Sequence, residues 1–227
     1  MTTTITWYGH AAFDLQTHGF SILIDPYITG NPLATVKAES LTPNYICVTH
    51  GHGDHLGDTI AISLRTSATV IANAEICGWL EKKGVKTHAQ HIGGGFNHPF
   101  GYLKLTQALH GSVLPDGANG GNPCGFLLTT LDDKKLYFAG DTGLFGDMQL
   151  IGDEGLDFAA LPIGDNYTMG PADALRAVKL LRPKQVLPIH FNTFERIKQN
   201  AQAWADQVQA ETSTRVLQLK PGESVSL

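Results

Sequence analysis

Thr49-His50-Gly51-His52-Gly53-Asp54-His55 is the stretch on which the reading of this chain turns. Three histidines and an aspartate fall within six positions, directly after the apolar run Tyr45–Val48, which reads as a β-strand. Imidazole suits zinc, iron, nickel and copper, and a carboxylate also accepts manganese. Glycines at 51 and 53 let alternate side chains turn toward a common point without steric penalty. His50 and His52 can then reach one ion while Asp54 and His55 reach a second. The plain alternative is a polar loop of solvent-exposed histidines, and the H-x-H-x-D-H spacing weighs against it.

One loop cannot close two metal sites, so further ligands are expected elsewhere. Three residues stand in the same context as His50, at the C-terminal end of a β-run. His110 follows Tyr102–Leu109, Asp141 follows Lys135–Ala139 and a glycine, and His190 follows Gln185–Ile189. Strand ends are where rigid scaffolds hold reactive groups on loops. Singly, each has an ordinary explanation: a hydrogen-bonded histidine, or a turn aspartate in Gly-Asp-Thr-Gly. Together with the loop they complete two sites.

The rest of the chain supplies a scaffold. Its 227 residues, 42% apolar and 16% charged, exclude a disordered, coiled-coil or collagen-like protein. Sixteen Lys+Arg against 21 Asp+Glu leave a formal charge of −5, without the basic footprint of a nucleic-acid or anionic-membrane binder. No basic, apolar leader and no apolar run of about 18 residues is visible, and three cysteines form no C-x-x-C. These features predict one intracellular, cytoplasmic domain over residues 1–227 with reduced thiols.

Further β-runs are expected at Thr4–Tyr8, Ala11–Leu15, Phe20–Ile24, Thr69–Ala72, Gly125–Thr130, Phe158–Leu161 and Arg215–Leu219, the first three as an antiparallel meander turning at His18-Gly19. Helices are expected over Asp58–Thr66 and Ala74–Lys83, from Pro171, and over Thr193–Ala210. In the last, Phe194, Ile197, Ala201, Trp204 and Val208 make one apolar face. This α/β pattern suits two stacked sheets flanked by helices, or a three-layer fold; periodicity does not separate them.

The motifs then add a resemblance. THGHGDH, a distal His, an Asp after one strand and a His after a later one resemble the metallo-β-lactamase superfamily. WYGHAAF (7–13), ILIDPYITGNP (22–32), THGHGDHLGD (49–58), FAGDTG (138–143), LPIGDNYTMGP (161–171) and PIHFNTF (188–194) resemble a narrower branch. That branch comprises small metal-dependent hydrolases related to ascorbate-6-phosphate lactonase. The resemblance implies a four-layer αβ/βα sandwich with a binuclear centre at one edge. His50, His52 and His110 would hold the first ion and Asp54, His55 and His190 the second, with Asp141 bridging. The ions would be two divalent metals, zinc favoured by the His-rich set and manganese the alternative. A hydroxide shared between them would cleave an ester, lactone or phosphoester of a small molecule, with Asp54 able to accept a proton.

Several residues around this centre keep two readings. His10 either lines the active site with a catalytic part or is a structural histidine, and Asn166 and Asn192 are candidate substrate contacts. Asp25, Asp58 and Asp165 are candidates to orient the ligand imidazoles, or else caps and turns. His18, His88, His91 and His98 have no ligand pattern. Gly111–Asn122 reads as a mobile flap or a plain surface loop. Competing functions are a phosphodiesterase or nuclease, disfavoured by the missing basic patch, and a di-iron oxidoreductase, disfavoured by the lack of room for a flavin domain. A homo-oligomer is compatible with the sequence.

Overall fold

The apolar runs sort into two sheets because most strands carry side chains that need burial on both faces. The computed structural model describes residues 2–227. Among them, β1 (Thr4–Trp7), β2 (Phe13–Thr17), β3 (Phe20–Ile24), β4 (Tyr45–Cys47), β5 (Thr69–Asn73) and β6 (Thr87–Gln90) build the first sheet. The second comprises β7 (Gly95–His98), β8 (Gly101–Gln107), β9 (Cys124–Thr130), β10 (Lys135–Phe138), β11 (Phe158–Pro162), β12 (Gln185–Ile189) and β13 (Arg215–Val216). The last strand, β14 (Ser224–Ser226), returns to pair with β1 at the edge of the first sheet.

In the first sheet the antiparallel β1–β2–β3 meander is followed by parallel β3–β4–β5–β6. The second repeats this logic, with β7 to β10 antiparallel and β10 to β13 parallel. Strands β1, β3 and β4 therefore run one way in their sheet, and β8, β10, β11 and β12 share a direction in theirs. The residues that follow these strands collect at one edge of the molecule.

Six helices complete the layers: α1 (Gly53–Leu56), α2 (Thr59–Thr66), α3 (Ala74–Glu81), α4 (Met148–Gly152), α5 (Pro171–Leu181) and α6 (Ala201–Glu211). Between the sheets lies a core of Ile5, Phe13, Ile22, Leu105, Phe126, Phe138, Phe158 and Leu187, among others. Outside the first sheet, Ile62 of α2 and Ile76 and Leu80 of α3 cover Ile46, Val48 and Val70. Outside the second, Ala177 and Val178 of α5 and Trp204 and Val208 of α6 cover Tyr137, Ala159 and Val186. Helix, sheet, sheet, helix is the four-layer αβ/βα sandwich.

The predicted helix over Thr193–Ala210 is corrected by this structure. Only Glu195–Ile197 forms a short 3-10 turn, and α6 starts at Ala201, where the Asn200 side chain caps by accepting from the Ala203 N–H. Phe194 thereby leaves the apolar face it was expected to extend. Trp204 stays, 1% exposed, with its indole N–H donating to the Pro171 carbonyl at 3.1 Å. Truncating it to alanine is expected to cost about 3–5 kcal/mol of stability, read as a lowered urea midpoint.

Candidate metal centre

The His-rich loop is shaped from below by one carboxylate. Asp25, just past β3, accepts from the Thr49 backbone N–H at 2.8 Å, the Thr49 hydroxyl at 2.6 Å and His55 Nδ1 at 2.8 Å. A carboxylate only accepts, so His55 carries its proton on Nδ1 and presents Nε2 to the cavity. The single Thr49 proton is used on Asp25, so Thr49 Oγ1 accepts from His50 Nδ1 at 3.0 Å. His50 Nε2 is left as a lone pair. One aspartate thus sets the tautomer of two histidines, one directly and one through a threonine. Asp58 instead accepts from the N–H groups of Ile28 and Thr29, and Asp165 from that of Asn166.

Three groups of donor atoms gather at this edge, each within 4.8 Å: His50, His52 and His110; His50, His55 and Asp141; His10, Asp54, His55 and His190. In the first, His52 Nδ1 lies 3.0 Å from His50 Nε2 and 3.3 Å from His110 Nε2. Tetrahedral zinc with N ligands needs N–N separations of roughly 3.3 Å. Asp141 sits between the groups. Its Oδ1 is 3.3 Å from His55 Nε2, and its Oδ2 is 3.0 Å from His190 Nε2 and 3.4 Å from His110 Nε2. These approaches lack hydrogen-bond angles: Asp141 Oδ1, His55 Nε2 and His190 Nε2 are buried without a partner. Inward-facing, unpartnered oxygen and nitrogen atoms at this spacing fit a cation set.

The charges support the same fit. Burial alone would raise the Asp141 pKa, but His190 and His55 hold it well below the carboxylate range. Burial would lower His55, yet Asp141 and Asp25 raise it well above the imidazole range, so they favour a positive charge at Nε2, a second proton or the cation that would replace it. Burial, with His55 adding to it, keeps His50 well below that range and neutral.

His10 stands behind the donors. It is fully buried, its Nε2 donates to Asp54 Oδ2 at 3.1 Å, and burial pushes its pKa down to about 4. Neutral, it leaves Nδ1 to accept from the Thr193 hydroxyl at 2.8 Å. Burial would raise the Asp54 pKa, but the His10 hydrogen bond together with the charges of His55 and His10 holds it below the carboxylate range. The His10 carbonyl also accepts from the His190 N–H and the Trp7 indole, which fastens the two sheets together at the centre. His10, Asp25 and His190 all have positive φ, of 55°, 43° and 53°. Such left-handed turns cost of order 1–3 kcal/mol each and concentrate at functional sites. Gly140, at φ +59°, lets the chain pass Thr49: an added Cβ would lie 2.9 Å from its side chain.

A cavity of about 220 Å³ opens over the centre, walled by His52, Asp54, His110, Asp141 and His190 and, beyond them, Tyr167 and Phe194. Asn166 and Asn192 are exposed and not part of this wall. They occupy positive-φ positions in the loops that carry the two aromatics, and the Asn192 side chain accepts from the Gln199 N–H. Tyr167 and Phe194 lie inside motifs noted above, and a bulky aromatic within a polar strand-end turn is the signal that marks them. The tract 111–122 is anchored. Leu114 is buried, Ser112 Oγ accepts from the Gly51 N–H, and the Asn73 amide donates to the carbonyls of Gly120 and Asn122. Of the other histidines, His18 pairs with Asp132 at the surface, and His98 lies buried against Phe100.

A sandwich of this topology with a His/Asp centre at its strand ends defines the β-lactamase superfamily class. Its sequence profile, the beta-lactamase superfamily domain, matches residues 21–191. A UPF0173 metal-dependent hydrolase of Desulforamulus reducens is 50% identical, the match covering 98% of this chain and 99% of that protein. Another, from Thermus thermophilus, is 45% identical with 98% of each covered. Igni18, a metallo hydrolase of the archaeon Ignicoccus hospitalis, has a solved structure that matches at a TM-score of 0.92 and 38% identity, over 100% of this chain and 99% of that one. The chain belongs to the UPF0173 metal-dependent hydrolase family. Among its described residues, no helix is long and apolar enough to cross a membrane.

Proposed function

We propose that this chain is a single-domain, binuclear hydrolase that cleaves an ester, lactone or phosphoester of a small molecule. The observation that carries this reading is the convergence of seven side chains, His50, His52, Asp54, His55, His110, Asp141 and His190, whose inward atoms lack protein partners at Asp141, His55 and His190. His50, His52 and His110 would hold one divalent cation and Asp54, His55 and His190 the other, with Asp141 available to both; zinc suits the imidazoles and manganese the carboxylates. When bound, two such cations supply Lewis acidity and lower the pKa of water toward neutrality.

The protein's own groups do the rest. Asp25 and Thr49 hold the Nδ1 protons of His55 and His50, so that Nε2 of each is the atom turned to a cation. Asp54, part of the cavity wall and held ionised by His10 and His55 together, is the base within reach of a substrate. The cavity size supports a small molecule over a polymer, and the free, buried Cys47, Cys77 and Cys124 support a reducing, cytoplasmic setting.

The test joins metal content to a substrate panel of p-nitrophenyl esters, bis-p-nitrophenyl phosphate, lactones and short RNA. About two equivalents of zinc or manganese should be present, and hydrolysis should vanish on chelation and return on readdition. Two irons with a redox-active spectrum and no hydrolysis would point to an oxidoreductase instead.

A further inference from the structure

We infer that the part of the substrate that does not react is an uncharged, compact apolar group seated between Tyr167 and Phe194. This rests on the hydrolase reading and narrows it. Five of the residues that wall the cavity belong to the donor groups, so recognition of the rest of the substrate falls to the other two. Both are aromatic, and they stand half-open to solvent, Tyr167 at 50% and Phe194 at 39% exposure. They come from loops after adjacent parallel strands, β11 and β12, and so form one face of the opening.

A remote phosphate or carboxylate finds nothing to bind on this wall, because no lysine or arginine belongs to it. On the Phe194 loop, Lys198 is tied to Glu195 at 2.6 Å. The N-terminal end of α5, beyond the Tyr167 loop, already faces a carboxylate: an added Cβ on Gly170 would lie 2.9 Å from the Asp165 carboxyl carbon. The volume of about 220 Å³ is below that of sites for drug-sized ligands. A small acyl or lactone ring with a short alkyl or aryl arm fills it. A sugar phosphate would bring its charge to a wall that offers no cationic partner, only the Phe194 ring and the Tyr167 phenol.

The test uses the metal-loaded protein and a matched pair, 4-methylphenyl acetate and its 4-(phosphonooxymethyl) counterpart, which differ only in the remote group. The neutral ester should be preferred by more than about tenfold in kcat/KM, the loss expected when a charge is left unpaired. Tyr167→Ala and Phe194→Ala should each raise KM for the neutral ester about tenfold with a smaller change in kcat, the pattern of lost uniform binding. Arg196→Ala, which removes the exposed cation two positions from Phe194, should leave both substrates as they were.

Binding of the non-hydrolysable N-(4-methylphenyl)acetamide, measured by calorimetry, is the arm that does not need turnover: its Kd should rise about tenfold in either aromatic variant. Absence of hydrolysis of both esters with this binding pattern intact would sink the hydrolase reading and keep the aromatic seat. Equal or better turnover of the phosphate ester, its selective loss in Arg196→Ala, or an amide Kd indifferent to both aromatic variants would overturn the inference.

Discussion

Asp141→Ala is expected to lose bound metal and to lower kcat/KM at least about 10³-fold, the equivalent of roughly 4 kcal/mol of transition-state stabilisation, while the fold survives. The reason is its position between the donor groups. Imidazole nitrogens of His55, His190 and His110 lie 3.0–3.4 Å from its two oxygens, and a fourth, from His50, lies 4.0 Å away. Its two oxygens reach histidines of all three donor groups, and an imidazole at this place would offer only one lone pair. Removal leaves His55 facing Asp25 alone, so the strong upward hold on its pKa weakens. The fold should tolerate this because Asp141 lies past the end of β10 and the core between the sheets does not include it. Elemental analysis after dialysis, steady-state kinetics and far-UV circular dichroism together decide the matter. Full metal content or wild-type turnover in this variant would refute its bridging place.

The side chains that the fold gathers at this edge were legible in the sequence because their determinants are local. H-x-H-x-D-H lies in one loop, and His110, Asp141 and His190 each follow an apolar run that had to be a strand. The opening meander was equally readable from Thr4 to Ile24, since alternating β-formers and the His18-Gly19 turn need no tertiary partner. Strands that exist only through pairing were not. Thr87-His88-Ala89-Gln90 and Ser224-Val225-Ser226 carry little β-pattern and become strands by adding to the open sides of β5 and β1. The start of α6 was missed for a related reason. Phe194 and Ile197 fit the helical period, but Asn200 supplies a cap that stops the helix short of them.

Around the centre, the unreadable part is what tertiary structure brings together. Asp25 and His55 are 30 positions apart, and His10 and Thr193 are 183 apart. The need of ligand imidazoles for orienting partners made Asp25 one candidate among three aspartates; only the fold separates it from Asp58 and Asp165. The positive φ values at His10, Asp25 and His190 are likewise not sequence-coded, because these residue types adopt left-handed turns only when their surroundings hold them there. Gly111–Asn122 was open to two readings, and it is resolved by Leu114, a single apolar residue that reaches the outer core of the first sheet.

Asp25 carries the other large expected effect, and a conservative substitution shows it best. All three partners of its carboxylate are donors: the Thr49 N–H, the Thr49 hydroxyl and His55 Nδ1. In Asp25→Asn, one orientation of the amide sets its NH2 against the Thr49 N–H, which cannot turn away. The other orientation keeps that bond only if the hydroxyl and His55 both become acceptors. His55 then moves its proton to Nε2, Thr49 donates to His50 Nδ1, and His50 moves its proton to Nε2 as well. Both ligand lone pairs are lost to one isosteric change. A supporting contact to a single metal ligand is worth about 10–100-fold in affinity or activity, so a residue that governs two should cost about 10²–10³-fold. Thr49→Val cuts only the branch to His50 and should cost about 10–100-fold, with metal loss confined to the group of His50, His52 and His110. The two substitutions share a pathway, so the double variant should be less impaired than the product of the singles. Metal titrations of the three variants, with histidine tautomers read from imidazole nitrogen shifts, check each step. Retention of Nε2-unprotonated His55 in Asp25→Asn would remove the basis for the whole scheme.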